Sequence, residues 1–95
     1  MAGSDDGVYA ISVAASMVSM EIQNLRVYER RGLLTPDRTE GGSRLYSDDD
    51  VVRLGRIRDL LAEGLNLAGI AMVLDLEADN ARLRARAGRH TPRGR

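Results

Sequence analysis

Between Ser19 and Tyr46 the chain reads SMEIQNLRVYERRGLLTPDRTEGGSRLY, and the pair Gly32 and Pro36 in this stretch limits the fold more than any other feature. Gly32 stands where a left-handed residue closes a helix, and Pro36 prevents the helix from resuming. The chain must turn there. Asp37, Arg38 and Thr39 then face Ser43, Arg44, Leu45 and Tyr46 across Glu40-Gly41-Gly42, a hairpin signal with glycines where positive φ is wanted. The order is helix, sharp exit, small hairpin, with basic residues at both shoulders of the hairpin.

At about 100° per residue, Ile22, Leu25, Arg26 and Glu29 share one side of the helix, and Gln23, Val27, Arg30 and Arg31 share another, flanked by Asn24 and Tyr28. Gln and Asn bond adenine edges, Arg bonds guanine or phosphate, and Tyr offers a hydroxyl to phosphate. A solvated helix in any Arg-rich protein carries a similar set. The hairpin decides between the two readings, because a helix of this kind followed at once by a small basic hairpin is the winged arrangement. In it the helix enters the major groove of a duplex and the wing reaches backbone or the adjacent minor groove. The fold class expected is mainly α: a winged helix-turn-helix domain with a short β-hairpin wing and a short C-terminal helix.

The remaining segments fit around this unit. Ile11, Ala14, Ala15 and Val18 recur at helical spacing and predict a first helix whose small face packs on the recognition helix. Ser47 followed by Asp48-Asp49-Asp50 reads as an N-cap with acids in the first turn of a third helix. Three consecutive carboxylates point in different directions on a helix, and no other ligands are spaced to complete a metal cage. The third helix turns Val51, Leu54, Ile57 and Leu61 inward, with Gly55 admitting a close neighbour, and stops at Gly64. Arg53 and Arg56 are either a solvated face or phosphate ligands. Asn66 caps a fourth helix with Leu67, Ile70, Val73 and Leu74 on its apolar side. Leu76 and Leu83 have the heptad separation that begins a coiled coil.

The motif Leu25-Arg26-x-Tyr28-Glu29-x-x-Gly32-Leu33-Leu34, then Pro36, Arg38-Thr39-Glu40, Gly42 and Arg44-x-Tyr46-Ser47, resembles the DNA-binding domain of MerR-type regulators. Ile11-Ser12-Val13-Ala14-Ala15 and Asn66-Leu67-Ala68-Gly69-Ile70 are similar to the HspR branch of that family, repressors of heat-shock genes. The resemblance covers about Tyr9 to Glu77. It departs from the family at Ser19, where Gly is common, and at Glu21, where a better helix cap is common. It implies residues 9–76 as the winged domain and 77–87 as a short helix of the dimerisation type; residues 1–8, polar and glycine-bearing, read as a disordered tail, and residues 88–95, with Pro92 and two glycines where the family has a long dimer helix, read as a flexible basic tail.

Candidate base-edge contacts are Gln23, Asn24 and Val27, the last against a thymine methyl. Candidate backbone contacts are Tyr28, Arg30, Arg31 and Arg44, with Arg38 and Tyr46 either joining them or bracing the wing. Arg26 and Glu29 match the family motif but fall on the inward side, where an i,i+3 pair competes with a DNA role.

Composition narrows the function. At 95 residues with 43% hydrophobic content, one small core is within reach, and support from a second subunit or DNA is consistent with its size. No cysteine is present, which excludes disulfides, Cys-type zinc fingers and thiolate metal sensing. Residues 1–81 carry eight Arg against fourteen acids, net −6, and residues 82–95 carry six Arg and no acid, net +6. All cationic residues are Arg and none is Lys, which GC-rich coding produces without functional cause. His90, the one histidine, reads as solvated. Neither a membrane span nor a signal-peptide pattern is evident, so a cytoplasmic, bacterial protein is expected, nucleoid-associated when bound to DNA.

No nucleophile, base and stabiliser can be assembled, so no enzyme, cofactor or resident metal is expected. The resemblance implies a repressor of heat-shock or chaperone-type genes acting on double-stranded DNA, with a homodimer and a chaperone co-repressor as candidate partners. Two alternatives stand beside it: a minimal architectural regulator on direct repeats, and a protein-interaction adaptor that has lost DNA binding.

Overall fold

In the computed structural model, residues 3 and 5–90 are described, Arg89 and His90 by their backbone only. The elements follow in the order β1 (Tyr9–Ala10), α1 (Ile11–Met17), α2 (Ile22–Arg30), β2 (Asp37–Arg38), β3 (Arg44–Tyr46), α3 (Asp48–Ala62) and α4 (Leu67–His90). The strands form an antiparallel sheet in the order β1-β3-β2, with Arg38 opposite Arg44 and Tyr9 opposite Tyr46.

Local signals place most boundaries. Gly32 takes φ 78° after α2 and Gly64 φ 96° after α3, the left-handed closures expected of them. In the hairpin, Gly42 supplies the positive φ, 88°, while Gly41 does not. Thr39 closes the turn from both ends: its amide donates to the Ser43 carbonyl at 2.9 Å and its Oγ1 accepts from the Ser43 amide at 3.1 Å. Ser47 caps α3 in a reciprocal box. Its Oγ accepts from the Asp50 amide at 3.0 Å, and its own amide donates to the Asp50 carboxylate at 2.9 Å. Asn66 Oδ1 accepts from the Gly69 amide at 2.8 Å at the start of α4.

One core holds these elements. Ala14, Ala15 and Val18 of the α1 region meet Leu25 and Tyr28 of α2, with Leu33, Leu34, Tyr46, Leu54, Ile57, Leu60, Ile70 and Leu74 completing the cluster. Small residues on α1 let the two short helices approach closely. The turn between them costs something, because Ser19 sits at φ 56°, a conformation that favours glycine. The side chain of Glu21, at the N-cap of α2, makes no capping hydrogen bond. Both departures from the family motif are therefore visible as local weaknesses.

Four expectations change. β1 has no counterpart in the hydropathy pattern, since a strand of two residues cannot show alternation; it is added to the wing by pairing alone. Val8 and Gly7, expected within a disordered tail, are tied down, with the Val8 amide on the Tyr46 carbonyl at 3.0 Å and the Gly7 amide on Asp37 Oδ2 at 3.0 Å. A Cβ at Gly7 would lie 2.7 Å from the Leu45 carbonyl oxygen, so only glycine fits there. Gly55 admits no close neighbour: the nearest atom to a Cβ built there is the end of Arg58 at 3.8 Å. Finally, Gly88 to His90 belong to α4, which runs unbroken from Leu67 for about 36 Å at 1.5 Å per residue. Residues 91–95 of the predicted tail, and Met1, Ala2 and Ser4, lie outside the described residues.

From Asp75 to Gly88 every residue of α4 is exposed, including Leu76 and Leu83, so the helix projects from the domain. No helix among the described residues is long and apolar enough to cross a membrane.

Candidate nucleic-acid interface

Helix α2 is rotated relative to the simple wheel reading. Its buried residues are Leu25 and Tyr28, which at i,i+3 spacing put the core direction between them. Arg26 is thereby carried out of the inward set and is exposed, on the same side as Gln23 and Arg30. Asn24 and Arg31 are exposed on the adjoining flank, and Val27 is half-buried and packed against the core. The side chains of Gln23, Asn24, Arg26, Arg30 and Arg31 have no hydrogen-bond or ion-pair partner among the described residues. Four polar side chains on a helix of nine residues, and Arg31 at its C-cap, thus stay committed to nothing among the described residues.

Two predicted contacts move inward. Tyr46 is 0% exposed, and its hydroxyl has no partner in the core. Burial first of all pushes that hydroxyl above its ordinary range. Of the two roles open to it, bracing is the one its position allows, because a phosphate cannot reach a fully enclosed ring. Tyr28 is 4% exposed and its ring belongs to the core; burial raises its pKa also, so the hydroxyl stays protonated and can only donate to an anion.

The wing is joined to α2 by Glu29. Its Oε2 accepts from Arg38 Nη2 at 2.5 Å, and its Oε1 accepts from Arg44 Nε. Arg38 also donates through Nη1 to the Gly42 carbonyl at 3.0 Å. Burial acts to raise the Glu29 pKa, but hydrogen bonds and charge from Arg44 and Arg38 outweigh it and hold the carboxyl below its ordinary value. Of the two readings open to Glu29 and Arg26, the i,i+3 pair is not formed; Glu29 pairs across the hairpin instead. Glu29 is the residue the motif reading undervalued; the available signal was two arginines at the hairpin shoulders with one acid on the helix side nearest the core.

Arg53 and Arg56 are spent inside the domain. Arg53 Nε donates to the Leu33 carbonyl at 2.5 Å, and Arg56 forks onto Glu77 at 3.0 and 2.6 Å, joining α3 to α4.

A short helix with an uncommitted polar face, packed on a small-residue helix and followed by a clamped hairpin, is the architecture of a winged helix-turn-helix DNA-binding domain. The model of the MerR HTH family of regulatory proteins matches residues 9–77, and the chain belongs to that family, whose members are DNA-binding transcription regulators and not enzymes. It is 48% identical over 84 residues to "Putative heat shock protein HspR" of Streptomyces coelicolor, covering 87% of this chain and 56% of that protein. It is 40% identical over 67 residues to the HTH-type transcriptional regulator GlnR of Bacillus anthracis, covering 70% of this chain and 52% of that protein. The chain therefore spans little more than half the length of these curated relatives. Among solved structures it is similar to HiNmlR, a MerR family regulator lacking the sensor domain, bound to promoter DNA. The TM-score is 0.68 at 28% identity, covering 74% of this chain and 54% of that one.

Proposed function

We propose that this chain binds duplex DNA in a sequence-dependent way and represses heat-shock or chaperone-type genes, with α2 in the major groove and the β2-β3 wing against the neighbouring backbone. The observation that carries the reading is the uncommitted face of α2. Polar side chains on an ordered helix with no partner among the described residues are available to base edges and phosphates, and a helix fits a groove about 12 Å wide. In this reading Gln23 and Asn24 face base edges, Arg26, Arg30, Arg31 and Arg44 hold phosphates, and Val27 offers part of its surface to a thymine methyl. Tyr28 supplies at most its hydroxyl, and Arg38 and Tyr46 brace the wing. The similarity to the protein named HspR supports the choice of target class. The protein acts in the cytoplasm, on the nucleoid.

A second copy is the natural occupant of the projecting part of α4. Met72, Leu76 and Leu83 are exposed and fall along one side of the helix, which a paired helix would cover. The α4 helix, longer than the short element expected, favours this dimer and an inverted-repeat operator over a minimal architectural role on direct repeats.

The test is to incubate the chain with sheared genomic DNA at about physiological salt, where non-specific binding is weakened, and sequence what is retained. Enrichment of inverted repeats upstream of chaperone genes is expected. Direct repeats would favour the architectural alternative, other promoters would overturn the target class, and no enrichment by folded protein would leave the adaptor reading.

A further inference from the structure

The wing holds two arginines, and neither is a free charge. Glu29 has 18% side-chain exposure, against 24% for Arg44 and 46% for Arg38, and each of its oxygens accepts from one of them. Arg38 spends both terminal nitrogens on the fold, one on Glu29 and one on the Gly42 carbonyl. Arg44 spends only Nε, which leaves its two terminal amino groups without a protein partner among the described residues. A guanidinium held at Nε presents its remaining planar edge in one direction, whereas an unheld arginine spreads its charge over many rotamers.

We propose that Glu29 is a specificity-determining positioning residue: it cancels one of the two wing charges and aims the free edge of Arg44 at a single phosphate. The inference rests on the DNA-binding reading given above. Phosphate contacts fix register without reading sequence, while unspecific affinity follows the number of phosphates neutralised. With Glu29 the triad carries one net positive charge, and its one directed edge rewards a duplex seated in the correct register. Without Glu29 the wing carries two uncancelled positive charges, and Arg44 loses its hold at Nε, so any duplex satisfies them.

The test uses the full chain as wild type, Glu29→Gln, Arg44→Gln and the double variant. Each is titrated with salt on the duplex retained in the genomic selection and on a scrambled duplex of equal length. Glu29→Gln is expected to lower the ratio of the two affinities by about fivefold or more, and to steepen the logarithmic salt slope on the scrambled duplex by about one, the value for one added phosphate contact. In the Arg44→Gln background the same change leaves the ratio unmoved, because there is no edge left to aim. Glu29→Asp, which retains the charge, restores the wild-type salt slope. Equal losses on both duplexes with an unchanged slope would make Glu29 a structural brace and overturn the proposal. A measurement on the wild type is independent of variant folding: the Arg44 Nε–H resonance, protected by Glu29, persists in the complex with the selected duplex, and its loss there would overturn the proposal. Wild type that binds neither duplex would overturn the DNA-binding reading itself, whereas wild type that binds with a ratio insensitive to Glu29→Gln would overturn only the role of Glu29.

Discussion

Arg26, Arg30 and Arg31 on or just after α2, and Arg53, Arg56 and Arg58 on α3, are the same residue type in helices that pack into one core, yet the fold uses them in opposite ways. Those of α3 are occupied: Arg53 on the Leu33 carbonyl, Arg56 on Glu77, and Arg58 on the Val18 carbonyl at 3.1 Å, at the end of α1. Those of α2 have no partner among the described residues. A guanidinium satisfied inside the domain is already aimed and partly desolvated, so a phosphate must compete for it. One left in water loses only hydration and rotamer freedom on binding. Charge count along the chain therefore says little about where an anion binds, whereas the distribution of unpaired donors says a great deal.

The widest separation between the two faces of α2 is expected from Leu25→Ala. It removes a fully buried side chain, costs about 2–5 kcal/mol of stability, and would be read as a fall in the urea midpoint. Next in size is Arg53→Ala, which removes a charge-assisted bond to a backbone carbonyl and costs up to about 3 kcal/mol in the same measurement. The affinity of the folded protein for DNA should not change. If it did, Arg53 would belong with the α2 arginines and the comparison would break.

Gln23→Ala is expected to do the reverse, relaxing preference at one base pair by about 1–3 kcal/mol of discrimination in a binding-site selection, with the urea midpoint unmoved. Arg30→Ala should change stability by less than about 0.5 kcal/mol, weaken all duplexes similarly, and reduce the salt slope by about 0.9. A loss of stability on Arg30→Ala would show that its side chain is not free. The smallest effect is on acid stability. The Glu29 carboxyl lies below its ordinary value of 4.5 in the folded chain, so its contribution is complete above that value and is lost as pH falls through the lower folded one. Urea midpoints between pH 7 and pH 3 should therefore fall less for Glu29→Gln than for wild type.

Much of the local architecture was legible. Gly32, Gly42, Gly64, Ser47 and Asn66 act through bonds and dihedrals within a few residues of themselves, so their meaning is carried by their immediate neighbours. The rotation of α2 was less legible. Leu25 reads as inward on any wheel, but Tyr28 and Arg26 lie to either side of it. Which one turns in depends on the cavity left by Ala14, Ala15 and the residues after Pro36. The wing was legible as a hairpin and illegible as a sheet, because β1 pairs with β3 from a position far away in the chain and has no hydropathy signal of its own.

By itself, the amino-acid sequence determined where α2 and α3 stop and where α3 and α4 start, that a turn and a hairpin follow α2, and which family the chain belongs to. All of these depend on interactions between near neighbours or on a motif of fixed spacing. Tertiary structure decided which donors remain for a partner. The carboxylate that takes Arg38 and Arg44, the carbonyls that take Arg53 and Arg58, and the enclosure of Tyr46 are contacts between segments distant in sequence. Whether a polar side chain is free is set by what packs beside it, and no residue carries that information in its own type or spacing.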